Sequence, residues 1–188
     1  MLRARAFPDI TIADIAAEAG VSPATIYQRF ANTDAAIAIL LELYYRRVED
    51  WAHRPRQEGH SSPSSLYEAL LEVGRTAWDQ IEALGYIMRP AYLYSRLRPE
   101  LAGPEWNRLQ EVAAKGFQAF LTNHANAIKV DDPEKAAASL CLFYNFMIAG
   151  KLLHAGENAP AFLGTRDAFA GELADFAYGY LNVTNRGA

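Results

Sequence analysis

Apolar residues recur every three or four positions along almost the whole chain, and strand-like alternation is scarce. Near the amino end Ile12, Ile15 and Ala16 form one short stripe, and Ile26 with Phe30 forms another. Gly20 lies between them and can take the left-handed conformation that ends a helix. Thr11 and Asp14 have the spacing of a capping box. Ser22-Pro23 pairs a second N-cap with a first-turn proline. The pattern predicts two short helices joined by a tight turn.

Downstream, Asn32 caps a helix to about Ala52, with Ile37, Leu40, Leu41, Tyr44, Val48 and Trp51 on one face. The polar run His53 to Ser64 predicts a loop. A helix follows with Leu66, Leu70, Val73, Ala77, Ile81 and Leu84 aligned, and Gly85 is expected to stop it. Tyr86 to Leu97 reads as a shorter element interrupted by Pro90. Gly103-Pro104 opens a helix striped by Trp106, Leu109, Ala113, Phe117, Phe120, His124 and Ile128. Asp132-Pro133 starts another, apolar almost all round from Ala136 to Leu153 and so needing cover on every side. It reads as too short and too interrupted for a membrane span. The last helix, Thr165 to Leu181, carries Phe169, Leu173, Phe176 and Tyr180 on one stripe and Ala170, Ala174 and Ala177 on another. The fold class is all-α: a helix-turn-helix head over residues 1–33, a connecting helix over 34–52, and a helical body over 53–188.

Half the residues are hydrophobic, which suits a full core and argues against disorder. The single cysteine, Cys141, excludes an internal disulfide framework and a thiolate zinc site. His53, His60, His124 and His154 are scattered without ligand spacing, so no metal site is expected. There is no GxGxxG, P-loop or HExxH, and Gly59-His60-Ser61-Ser62-Pro63 lacks the second glycine of a nucleophile elbow. No enzyme activity and no cofactor are expected. The short basic amino end has no apolar core of a signal peptide, so a cytoplasmic protein without a membrane anchor is expected.

The run FPDITIADIAAEAGVSPATIYQRFANTDAAI, Phe7 to Ile37, resembles the DNA-binding head of the tetracycline-repressor (TetR) family of bacterial regulators. Its most specific parts are the opening Thr, the AGVS turn and the TIYQRF recognition helix. The resemblance implies that Thr11, Pro23, Ala24, Thr25, Tyr27, Gln28 and Arg29 touch double-stranded DNA, with Thr33 where the family often has a phosphate-binding Lys. Chemically, a Gln28 amide can pair bidentately with adenine, and Arg29 suits guanine or phosphate. Thr11, Thr25 and Tyr27 offer hydroxyls to phosphate, and Ala24 can meet a thymine methyl. Each is otherwise a solvated surface residue, and Tyr27 can instead pack on the head. The family's first helix would precede Phe7, where this sequence has only MLRARA. The expectation is a truncated first helix or a late-started chain, leaving Ile12, Ile15, Val21, Ile26 and Phe30 partly wet.

Charge adds little support for DNA. The net charge is −4, and in residues 1–33 Arg3, Arg5 and Arg29 are cancelled by Asp9, Asp14 and Glu18. The last two helices have faces suited to a two-fold, four-helix homodimer, an arrangement the resemblance also implies. A small apolar or aromatic effector could be enclosed by Trp78, Tyr86, Met88, Tyr92, Trp106, Phe117, Phe120, Phe143, Phe146 and Met147, with His124 and Asn145 as polar groups. These residues equally suit plain core. Asn145 can instead sit at a dimer seam, and His124 can bond backbone. Two functions stay open: a ligand-responsive transcriptional regulator, expected to act as a repressor that binds a palindromic operator as a dimer, and a ligand-binding or protein-interaction dimer of regulator ancestry that no longer grips DNA.

Overall fold

The structure, a computed structural model, describes residues 1–29, 35–52, 63–154, 160 and 163–182. Its α-helices are α1 (Ile12–Glu18), α2 (Pro23–Arg29), α3 (Ala35–Ala52), α4 (Leu66–Leu97), α5 (Gly103–Asn123), α6 (Pro133–Leu153) and α7 (Arg166–Asn182). Short 3-10 turns lie at Phe7–Asp9, Pro99–Leu101 and Ala125–Ala127, and there is no strand among the described residues. The fold is all-α with a helix-turn-helix at the amino end. Phe30, Asn32, Thr33, Asp34 and the His53–Ser62 part of the polar loop lie outside the described residues.

Two compact units emerge. One comprises Met1–Arg54 with Leu84–Asn107, the other Pro55–Ala83 with Arg108–Ala188. In the first, the core gathers aromatic rings around α3. Tyr44 lies 6.1 Å from both Tyr92 and Trp106, and Tyr92 lies 5.6 Å from Trp106. The Tyr45 hydroxyl donates to the Ala102 carbonyl. Burial, reinforced by Tyr92, raises the Tyr44 hydroxyl well above its ordinary pKa. Phe7 meets Tyr94 edge-on at 5.0 Å, and the Arg3 guanidinium sits 4.0 Å over the Tyr86 ring.

In the second unit α7 presents Phe169, Ala170, Leu173, Ala174, Ala177 and Leu181 as a fully buried face. Gly74 of α4 meets it so closely that an added Cβ would lie 2.8 Å from the Ala170 Cα. Trp78 packs against Phe169 at 5.6 Å and under the Lys151 ammonium at 4.0 Å. Lys151 also donates to the Leu163 carbonyl at 2.7 Å, and Arg166 clamps Asp79 through two bonds of 2.7 and 2.8 Å.

The sequence expectations need five corrections. Helix α4 runs unbroken through Gly85 and Pro90. Burial of Leu84, Ile87, Met88 and Ala91 offsets the local cost, about 1 kcal/mol for the glycine and about 3 for the proline. Helix α5 ends at Asn123, so Ile128 falls beyond its stripe in extended backbone. Phe176, aligned in the sequence with Phe169 and Leu173, is 56% exposed, because the buried face of α7 runs from Phe169 and Leu173 to Ala170, Ala174, Ala177 and Leu181. Helix α6 is buried along Ala136, Ala137, Leu140, Cys141, Tyr144, Ala149 and Leu152 but leaves Leu142, Phe146 and Leu153 at the surface. By length and composition it is also sufficient to cross a membrane, contrary to the expectation that it is too short.

Candidate functional site

The head is built from local chemistry. The Thr11 hydroxyl donates to Asp14 Oδ2 at 2.8 Å and accepts the Asp14 N–H at 3.1 Å. The Thr11 N–H returns to the same carboxylate at 2.9 Å, completing the capping box. These bonds from Thr11, with Arg5 at 3.2 Å, lower the Asp14 pKa to about 2. Gly20 takes φ +66°, the turn conformation that a side chain disfavours. Ser22 then caps α2 by accepting the Thr25 N–H at 3.2 Å, and its hydroxyl lies 3.0 Å from that of Thr25. Pro23 at the first helical position gives up no bond.

Helix α2 has no buried residue. Pro23, Ala24, Thr25, Tyr27, Gln28 and Arg29 are all exposed, Tyr27 at 49%, and only Ile26 is partly covered. The structure thus brings these six onto one short, open helix. Thr11 is exposed at the start of α1, but its proton is already given to Asp14, whose negative charge faces the same place. A phosphate there would compete with that carboxylate. Arg29 lies 3.7 Å from Glu42, an exposed pair that is weak enough to open. Thr33 lies outside the described residues. Beneath the turn Ala16 is buried, while Ile12, Ile15 and Ile26 are half-buried and Val21 is 40% exposed.

The twelve aromatic and polar pocket residues fall in both units. Tyr86, Met88, Tyr92 and Trp106 belong to the first unit, and Trp78, Phe117, Phe120, His124, Phe143, Asn145, Phe146 and Met147 to the second. Met88 and Tyr92 are buried, whereas Phe146 is turned to solvent. His124 Nδ1 meets the Phe120 carbonyl at 2.9 Å and its ring lies 4.5 Å from that of Phe120. The Asn145 amide donates to Gln110 Oε1 at 2.9 Å and to Cys141 Sγ at 3.6 Å. Burial raises the Cys141 pKa. Sequence reasoning passed over Tyr144, whose ring is buried and whose hydroxyl meets no partner among the described residues. Stepping by three and four from Ala137 and Leu140 would have found it, but the all-round apolarity of α6 hid which face turned inward. Among the described residues no group of three metal-binding side chains gathers.

A capped first helix, a left-handed glycine turn and an open, proline-started second helix together make a helix-turn-helix of the kind that enters a DNA major groove. Residues 1–37 match the family described as bacterial regulatory proteins, tetR family. Over those residues the head is similar to the amino-terminal DNA-binding domain of tetR-family transcriptional regulators. No curated protein matches the chain.

Proposed function

We propose that the protein is a ligand-responsive repressor, resident in the cytoplasm, that binds a palindromic operator as a homodimer and has no catalytic role. The open face of α2, with Gln28 and Arg29 free of burial, carries the reading. Base readout would come from Gln28 and Arg29, and phosphate contacts from Thr25, Tyr27 and Thr33. Two-fold pairing through α6 and α7 would bury Leu142, Phe146 and Phe176, each more than half exposed in the single chain. Apolar side chains of this size gain roughly 1.5–3 kcal/mol each on full burial, which favours a second copy over solvent.

The effector is a small apolar or aromatic molecule held in the second unit. Helices α4 and α5 each contribute to both units, so a ligand that prefers one arrangement of these helices also biases the head. Linkage requires that DNA change ligand affinity by the same factor as ligand changes DNA affinity.

A specific observation favours the second reading, a dimer that no longer grips DNA. The head's cations are engaged: Arg3 with Tyr86, Arg5 with Asp14, Arg29 with Glu42. One experiment separates the two. Fluorescence anisotropy of labelled duplexes from the DNA flanking the gene should show one sequence retained far better than scrambled controls, with affinity falling steeply as salt rises. Equal, weak binding to all duplexes would leave the second reading.

A further inference from the structure

We infer that the hydroxyl of Tyr144 is the polar anchor for an uncharged aromatic ligand carrying a hydrogen-bond acceptor, such as an aryl ketone; this deepens the effector reading and rests on it. Tyr144 is 3% exposed, and its hydroxyl oxygen is the one buried side-chain polar atom without a hydrogen-bond partner among the described residues. Folded proteins pair almost all such atoms, because an unpaired buried hydroxyl forfeits its bonds to water. A group that gives the hydroxyl an acceptor therefore gains a bond that the protein alone does not make.

The surroundings specify the rest of the ligand. Phe117 lies 5.0 Å from the Tyr144 ring and Phe143 lies 6.0 Å from it, and Phe143 in turn stacks on Phe176 at 4.0 Å. Phe117 and Phe143 are half-buried, so the rings packed on Tyr144 reach toward solvent in the single chain. The buried residues of α6 include no charged side chain, and Lys151 is engaged with the Trp78 ring and the Leu163 carbonyl. The rings packed on Tyr144, Phe117 and Phe143, carry no charge, which favours an uncharged ligand. Burial holds the hydroxyl protonated, so it enters the contact as a donor.

The test uses the full chain, acetophenone as the probe, and cumene as the ring of similar shape without an acceptor. By calorimetry the wild type should bind acetophenone about tenfold tighter than Tyr144→Phe does, with cumene bound alike by both. Without ligand, Tyr144→Phe should melt no lower than the wild type. The Cζ resonance of labelled Tyr144, which needs no variant, should move with acetophenone and not with cumene. Equal acetophenone affinity in the two proteins, no binding at millimolar concentration, or a markedly less stable unliganded variant would each overturn the assignment. DNA binding measured on the same preparation keeps the two levels apart. Discrimination by Tyr144 without any change in DNA affinity would support the anchor and defeat the effector reading.

Discussion

At the scale of single residues, the head depends on side chains that bond backbone a few positions away. Thr11 and Asp14 satisfy each other and two of the free N–H groups at the start of α1. Thr11→Ala should cost about 1 kcal/mol of head stability, read from chemical denaturation followed by a probe in the head. The pH dependence follows from Asp14. Its folded pKa is lowered to about 2, from 3.8. Its contribution is therefore complete above the unfolded value and is lost as pH falls through the interval between the two. Asp14→Asn should flatten that part of an acid titration, and an unchanged acid limb would contradict the cap as its source. Farther along, Gln28 has its amide in the open on α2. Gln28→Ala should remove about 1–3 kcal/mol of discrimination at one base pair per half-site while leaving non-specific affinity alone. A uniform loss across all duplexes would make Gln28 a positioning contact instead.

At the scale of elements, glycine separates two kinds of helix position. In α4 Gly74 is where the α7 backbone comes closest, and a Cβ there would press to 2.8 Å on the Ala170 Cα. In α5 Gly116 has nothing within 4 Å of the same added atom. Gly116→Ala should stabilise by about 0.5–1 kcal/mol through helix propensity alone. Gly74→Ala receives the same propensity but must push two helices apart, at about 1–3 kcal/mol, so it should be neutral to destabilising by up to about 2. Thermal melts of both variants check the contrast, and two stabilised proteins would show that the α4–α7 contact is not tight. Neither outcome could be read from composition, because both residues are glycines within helical patterns. What was legible was what is local. The Thr11 and Ser22 caps, the left-handed Gly20 and the Asp132 cap of α6 each follow from residues three or four apart. Breaks at Gly85 and Pro90 were read from the same local logic and did not occur, because long-range burial of Leu84, Ile87 and Met88 outweighs them. The exposed helix of the candidate interface was legible for the first reason. The commitment of the Thr11 proton and the orphan hydroxyl of Tyr144 were not, since both depend on what surrounds an atom in three dimensions.

At the scale of the whole molecule, the outer side of α6 poses the largest open question of solvation. Leu142 and Phe146 are four residues apart on that helix, and they are 58% and 59% exposed. Phe176 of α7 adds a third large apolar surface and stacks on Phe143 of α6, so the patch spans two helices rather than one side chain. Two covers are physically available, a second copy of the chain or a lipid surface, since α6 also has the length and hydropathy of a spanning segment. The buried face of the same helix argues against the bilayer. Withdrawing α6 into lipid would strip Leu140, Tyr144 and Leu152 from the second unit, each now less than 5% exposed. Pairing across a two-fold axis leaves them in place. Leu142→Glu with Phe146→Glu should therefore leave helix content and melting of the single chain nearly unchanged, because both sites already face water. In a dimer the same change would bring carboxylates of two copies toward one another in an apolar seam that contains the patch twice, once from each copy. Sedimentation velocity at micromolar concentration should then show wild-type dimer and variant monomer. The variant's affinity for a full palindrome should fall toward that for one half-site, while half-site affinity itself stays constant. A wild type that sediments as a monomer, or that floats with liposomes, would place the cover of α6 elsewhere and remove the two-fold argument for a palindromic operator.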